Sequence, residues 1–76
     1  MFQGRLKNAN SRGFGFIETE RKIDFFFHHS QYKGEWKDLL QKHVSGYVIV
    51  LEFENDLEAN DGPRAINVRI KEVIKD

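Results

Sequence analysis

Arg12-Gly13-Phe14-Gly15-Phe16-Ile17-Glu18 reads as a β-strand turned the wrong way round. Side chains alternate across a strand, so Arg12, Phe14, Phe16 and Glu18 share one face while Gly13, Gly15 and Ile17 share the other. A half-buried strand ordinarily turns its large apolar residues inward and its charges outward. Here the two phenylalanines travel with the charges, and glycines accompany the single aliphatic residue. The opposite orientation would leave Ile17 facing water beside two outward glycines. The expectation is therefore that Phe14 and Phe16 face solvent, and that inward glycines let the strand coil tightly.

The next apolar run repeats the pattern. In Ile23-Asp24-Phe25-Phe26-Phe27-His28, the clean apolar face is Ile23, Phe25 and Phe27, which leaves Phe26 with Asp24 and His28. Two neighbouring antiparallel strands then expose Phe14, Phe16, Phe26 and His28, rimmed by Arg12 and Lys7. A contiguous exposed aromatic patch of this kind marks a binding surface. Flat π-faces beside cations are what unpaired bases stack on, at about 1–3 kcal/mol per base. A partner protein's apolar surface is the other occupant such a patch admits.

Working outward, the remaining pattern is all-β. Gly4 to Lys7 is a first strand with Leu6 inward, Asn8 to Ser11 a turn, Arg12 to Thr19 the second strand and Ile23 to His28 the third. Tyr47 to Glu54 alternates as a fourth. After the polar loop Asn55–Gly62, whose exit Pro63 fixes, Ala65 to Lys71 forms a fifth with Ile66, Val68 and Ile70 on one face. Trp36, Leu39, Leu40 and His43 recur at helical spacing, enough for one or two turns between the third and fourth strands. The expectation is a five-stranded antiparallel Greek-key barrel over residues 1–71 with one short helical turn, followed by a tail, 72–76.

Composition limits the alternatives. The chain has 76 residues and no cysteine, so packing alone must hold one small domain together, without a disulfide or a thiolate metal site. No apolar run approaches the roughly 20 residues of a membrane helix, and Met1-Phe2-Gln3-Gly4-Arg5 lacks a signal-peptide core. A cytoplasmic protein, acting as a monomer and away from membranes, is expected. The net charge is zero, but it is divided. Residues 1–43 carry eight Lys/Arg and five Asp/Glu, a balance of +3; residues 44–76 carry four and seven, a balance of −3. Phe14, Phe16, Phe25, Phe26, Phe27, Tyr32 and Trp36 all lie in the basic half, the interleaving that single-strand binding requires.

Three segments resemble the cold-shock domain family. Arg12-Gly13-Phe14-Gly15-Phe16-Ile17 is similar to its first ribonucleoprotein motif, and Asp24-Phe25-Phe26-Phe27-His28-His29-Ser30 to its second. Gly62-Pro63-Arg64-Ala65-Ile66-Asn67-Val68 resembles the signature of its last strand. The likeness covers about residues 3–70. It implies an OB-fold and binding of single-stranded RNA or DNA, as an RNA chaperone or regulator of expression. Phe14, Phe16, Phe26, His28 and His29 would then meet bases, with Arg12 and Lys7 at phosphates or base edges; Asn8, Asp24, Trp36 and Arg64 are further candidates for contact with the nucleic acid. The sequence departs from the family where Lys-Trp-Phe-Asn is usual: Lys7-Asn8-Ala9-Asn10 stands there, which removes a stacking platform at residue 8. Trp36 either replaces that platform or anchors the short helix; its register with Leu39, Leu40 and His43 favours the anchor.

No Ser–His–Asp spacing, paired-carboxylate motif or glycine-rich phosphate loop stands out, so neither catalysis, nor a cofactor, nor a small-molecule substrate is expected. His28 and His29 are neighbours in a strand and should point to opposite faces, which argues against a shared metal.

Overall fold

The computed structural model describes residues 1–75. Five strands, β1 (Phe2–Ala9), β2 (Phe14–Glu18), β3 (Asp24–His28), β4 (Val48–Asn55) and β5 (Ala65–Ile74), form one antiparallel sheet in the order β3-β2-β1-β4-β5. A 3₁₀ turn (His29–Gln31) and helix α1 (Trp36–Val44) stand between β3 and β4. The two ends of the sheet approach each other through isolated parallel bridges, Phe26 with Arg64 and Tyr32 with Val68. Among the described residues no helix is long and apolar enough to cross a membrane.

The predicted orientation of the inverted strand holds. Ile17 and Phe27 are fully buried and Phe25 nearly so, together with Leu6, Leu39, Ile49, Leu51, Phe53 and Val68. Phe14, Phe16 and Phe26 are only half-buried. Register explains the arrangement. Gly15 lies opposite Ala9 on one side and Phe27 on the other, while Phe16 lies opposite Asn8 and Phe26. A Cβ on Gly15 would come within 2.5 Å of the Asn8 carbonyl oxygen and 3.1 Å of the Phe27 ring. The absent side chain is what lets β1 cross so close over β2.

Several boundaries differ from the expectation. β1 runs on through Asn8 and Ala9, because those residues pair with Phe16 and Gly15. The turn falls instead at Asn10–Gly13, where the Asn10 side chain accepts the Arg12 amide at 3.0 Å and the Asn10 carbonyl accepts the Gly13 amide at 3.2 Å. Arg12 therefore stands in this turn rather than in β2. Gly13 has φ +99°, a conformation glycine adopts without steric cost. Helix α1 has nine residues, longer than one or two turns, and buries Leu39.

Ile23 does not join the core. It precedes β3 in the Thr19–Ile23 turn, where the Thr19 amide donates to its carbonyl, and is 42% exposed. Ile66, Val68 and Ile70 do not share one face either. Asn67 takes a left-handed φ of 51° beside a register shift between Glu52 and Glu54, so Ala65 and Val68 are buried while Ile66 is only partly covered. β5 also runs past Lys71: Glu72, Val73 and Ile74 pair with Val50, Ile49 and Val48. The segment read as a tail thus continues the strand to Ile74, and Asp76 lies outside the described residues.

Candidate functional site

The sheet assembles one aromatic face from two rows that cross three strands. Asn8, Phe16 and Phe26 form a row across β1, β2 and β3, and Phe14 with His28 forms the adjacent one. The Phe14 and Phe26 ring centroids are 5.7 Å apart and tilted by 31°; Phe16 meets Phe26 edge-on, also at 5.7 Å. These are ordinary aromatic pair geometries, and they leave part of each ring open to solvent. Asn8 is exposed and its side-chain amide has no partner among the described residues, so the row ends in a free donor and acceptor.

His28 and His29 border the face together. The expectation that they point to opposite sides fails, because His29 leaves the strand and opens the 3₁₀ turn. Their ring centroids lie 4.3 Å apart. His28 Nδ1 accepts the Ser30 amide at 3.2 Å, capping that turn, and lies 2.8 Å from Ser30 Oγ. With Nδ1 accepting, the ring proton of neutral His28 sits on Nε2. The His29 amide donates to the Gly13 carbonyl at 2.7 Å, and a Cβ on Gly13 would meet the His29 ring at 2.4 Å. Glycine at position 13 thus lets the histidine pair lie against the start of β2. Among the described residues no three His, Cys, Asp or Glu side chains gather as a metal site.

The cations of the rim are not equivalent. Lys7 is the extra residue of a bulge, between the pairs Leu6–Ile17 and Asn8–Phe16, and its ammonium reaches across β2 to Asp24 Oδ2 at 2.9 Å. That hydrogen bond holds the Lys7 pKa above the ordinary lysine value of 10.5, with the charge attraction of Asp24 adding to it. Lys7 is therefore a cation with a local counter-ion. Arg64 is another: its Nη2 lies 3.2 and 3.3 Å from the two Asp61 carboxylate oxygens, and its guanidinium sits over the Phe26 ring at 6.0 Å. Arg12 is exposed, with no side-chain partner among the described residues.

Trp36 lies beside the core and meets the border of this face at His29, whose ring centroid is 6.2 Å away. Its ring packs against Phe27, 5.5 Å away, and Tyr32, 6.1 Å away, beside the core. Its indole N–H donates to the Asn10 carbonyl at 2.9 Å. It ties α1 to the turn before β2, the anchoring position that its helical register favoured.

Sequence reasoning missed the third border. Asp61, Gly62 and Pro63 line a hollow of about 310 Å³ with Phe16, Phe26 and Arg64. Ile66, Gln31 and Asp56 line a neighbouring one with Phe26 and His28. The Phe26 amide donates to the Pro63 carbonyl at 3.1 Å, which pins the β4–β5 loop beside the rings. Residues 26 and 63 are too distant in the chain for periodicity to join them. The one signal was the resemblance of Gly62–Val68 to a family signature.

No protein-family model matches the chain. Among curated proteins it is similar to cold shock protein CspA of Staphylococcus saprophyticus, at 41% identity over 69 residues, covering 90% of this chain and 96% of the relative. CspA proteins from two strains of Staphylococcus epidermidis match at the same identity and coverage.

Proposed function

The chain belongs to the cold-shock protein family, and from that premise we propose that it binds single-stranded RNA or DNA by stacking bases on Phe14, Phe16 and Phe26. The observation that carries this reading is the gathering of three partly exposed phenylalanine rings, with the His28–His29 pair, on one face of the sheet. Three platforms at about 1–3 kcal/mol each supply about 3–9 kcal/mol before the costs of ordering. The upper part of that range reaches micromolar dissociation constants, which need about 8 kcal/mol. Arg12 meets a phosphate directly, Lys7 does so in exchange for Asp24, and Asn8 offers hydrogen bonds to a base edge where the family usually stacks a ring.

The strand order and the two bridges between β3, the 3₁₀ turn and the β5 side support an OB-type Greek-key barrel that keeps this face rigid. In the cell the protein acts as a cytoplasmic monomer, an RNA chaperone or regulator of expression that takes up unpaired segments. It does so without chemistry, cofactor or membrane.

The test is a competition between single-stranded and duplex oligonucleotides of one sequence, at two salt concentrations. Paired bases hide their faces, so the single strand should bind more tightly, and salt should weaken it. Equal or tighter duplex binding contradicts the stacking reading. Capture of a partner protein by the same face, insensitive to salt, would assign the patch to protein docking instead.

A further inference from the structure

Arg64 is held in an unfinished ion pair. Both oxygens of Asp61 approach the same nitrogen, Nη2, at 3.2 and 3.3 Å, and neither reaches Nε. Nε is covered and has no hydrogen-bond partner. A guanidinium meets an oxyanion best through two parallel bonds, and Nε with Nη2 makes one of its forks. Asp61, three residues before Arg64, leaves that fork half filled. An unmet buried donor is a standing cost of the free state.

The location gives this cost a use. The guanidinium lies over Phe26, and Phe16, Phe26, Asp61 and Arg64 line the same hollow. Arg64 is thus within one nucleotide's reach of a base stacked on Phe26, and a neighbouring phosphate is the oxyanion such a ligand offers it. The phosphodiester carries two non-bridging oxygens suited to the Nε/Nη2 fork. The Asp61 side chain is 76% exposed, so its hold on Arg64 is weak and its carboxylate returns to water at little cost.

We propose that Asp61 is a built-in competitor for phosphate at Arg64: when single-stranded nucleic acid stacks on Phe26, the Asp61–Arg64 pair breaks and an Arg64–phosphate pair replaces it. This rests on the stacking reading above and adds a regulating contact to the same site. Asp61 keeps the resting affinity lower than the rings and Arg64 alone would give. It also keeps the guanidinium from being a free cation until a base arrives beside it.

The experiment measures the affinity of a short mixed-sequence single-stranded DNA oligonucleotide by fluorescence anisotropy over a series of salt concentrations. The proteins are the unmodified chain, Asp61→Asn, Arg64→Met, Arg64→Lys, the Asp61→Asn/Arg64→Met double variant and Glu58→Gln, each first shown to melt cooperatively. Asp61→Asn should tighten binding about 2–5-fold, the worth of an exposed ion pair. The same substitution should gain nothing in the Arg64→Met background. Glu58→Gln removes an acid of the same loop that holds no arginine, and should change little. Arg64→Met should make the log–log salt slope shallower by about 0.7, one phosphate contact on a single strand, whereas Arg64→Lys should retain it.

An equal gain from Asp61→Asn with and without Arg64, or an equal gain from Glu58→Gln, would reduce the effect to net charge and overturn the competition. An unchanged slope in Arg64→Met would show that no phosphate takes Arg64, and overturns it as well. Failure of the unmodified protein to bind any oligonucleotide would refute the stacking reading itself, and this inference with it.

Discussion

Phe26 and Phe27 are sequence neighbours with opposite surroundings, and truncating each to alanine separates binding from stability. Phe27 is fully buried, packed with Trp36 and facing Gly15 across the sheet. Removing a buried phenylalanine ring costs about 3–5 kcal/mol. A 76-residue domain has about 4–11 kcal/mol of stability in all, so Phe27→Ala removes a large part of it. Phe26 is partly exposed, and its ring meets Phe14 and Phe16, both at 5.7 Å, and the Arg64 guanidinium at 6.0 Å. Two aromatic pairs at the lower end of their range, with up to about 1 kcal/mol for the partial burial of the ring, amount to about 1–2 kcal/mol. A domain of this size shifts its melting temperature by about 4–8 °C per kcal/mol, so Phe26→Ala should melt about 4–16 °C lower. In binding the order reverses. Phe26→Ala loses a platform worth about 1–3 kcal/mol, a weakening of about 5- to 150-fold. Phe27→Ala, assayed where it is still folded, should bind nearly as well as the unmodified protein. Thermal melts by circular dichroism and oligonucleotide titrations by anisotropy give both numbers on the same samples. A loss of stability in Phe26→Ala as large as in Phe27→Ala, with unchanged binding, would place Phe26 in the core and refute the reasoning.

Two further outcomes follow from the same geometry. Asn8→Trp should tighten binding by up to about 1–3 kcal/mol, because residue 8 continues the Phe16–Phe26 row; no gain in a folded variant would mean that the bulge at Lys7 turns the new ring away. Trp36→Ala should cost about 3–5 kcal/mol of stability, and the native indole should emit at blue-shifted wavelength and ignore a saturating oligonucleotide; strong quenching on titration would return Trp36 to the site.

The orientation of β2 was legible because its signal is local: two glycines and one isoleucine on one side, two phenylalanines on the other. The same alternation placed Phe26 outward and Phe25 and Phe27 inward. It failed where backbone irregularity resets the count. Asn67 with its left-handed φ, the bulge at Lys7 and the turn at Asn10–Gly13 each shift a neighbour to a place that period-two reading does not predict. Ile66, Arg12 and the boundaries of β1 are the residues so affected. His29 was misplaced for a related reason: the strand was read to end at His28, but its neighbour was still given the strand's alternation, whereas His29 opens the 3₁₀ turn. Counter-ions were out of reach altogether. Lys7 with Asp24, and Arg64 with Asp61 over Phe26, are fixed by how strands and loop fold back, and a count of charges along the chain treats all four as free.

The central claim, stacking on Phe14, Phe16 and Phe26, is tested most directly by aromatic NMR spectra recorded while a single-stranded oligonucleotide is added to saturation. Base ring currents should move the ring resonances of these three residues, and those of His28 and His29, in proportion to occupancy. The rings of Phe25, Phe27 and Phe53 are buried and should hold their positions. Shifts confined to another surface, such as the exposed end at Met1, Phe2 and Ile23, would contradict the account.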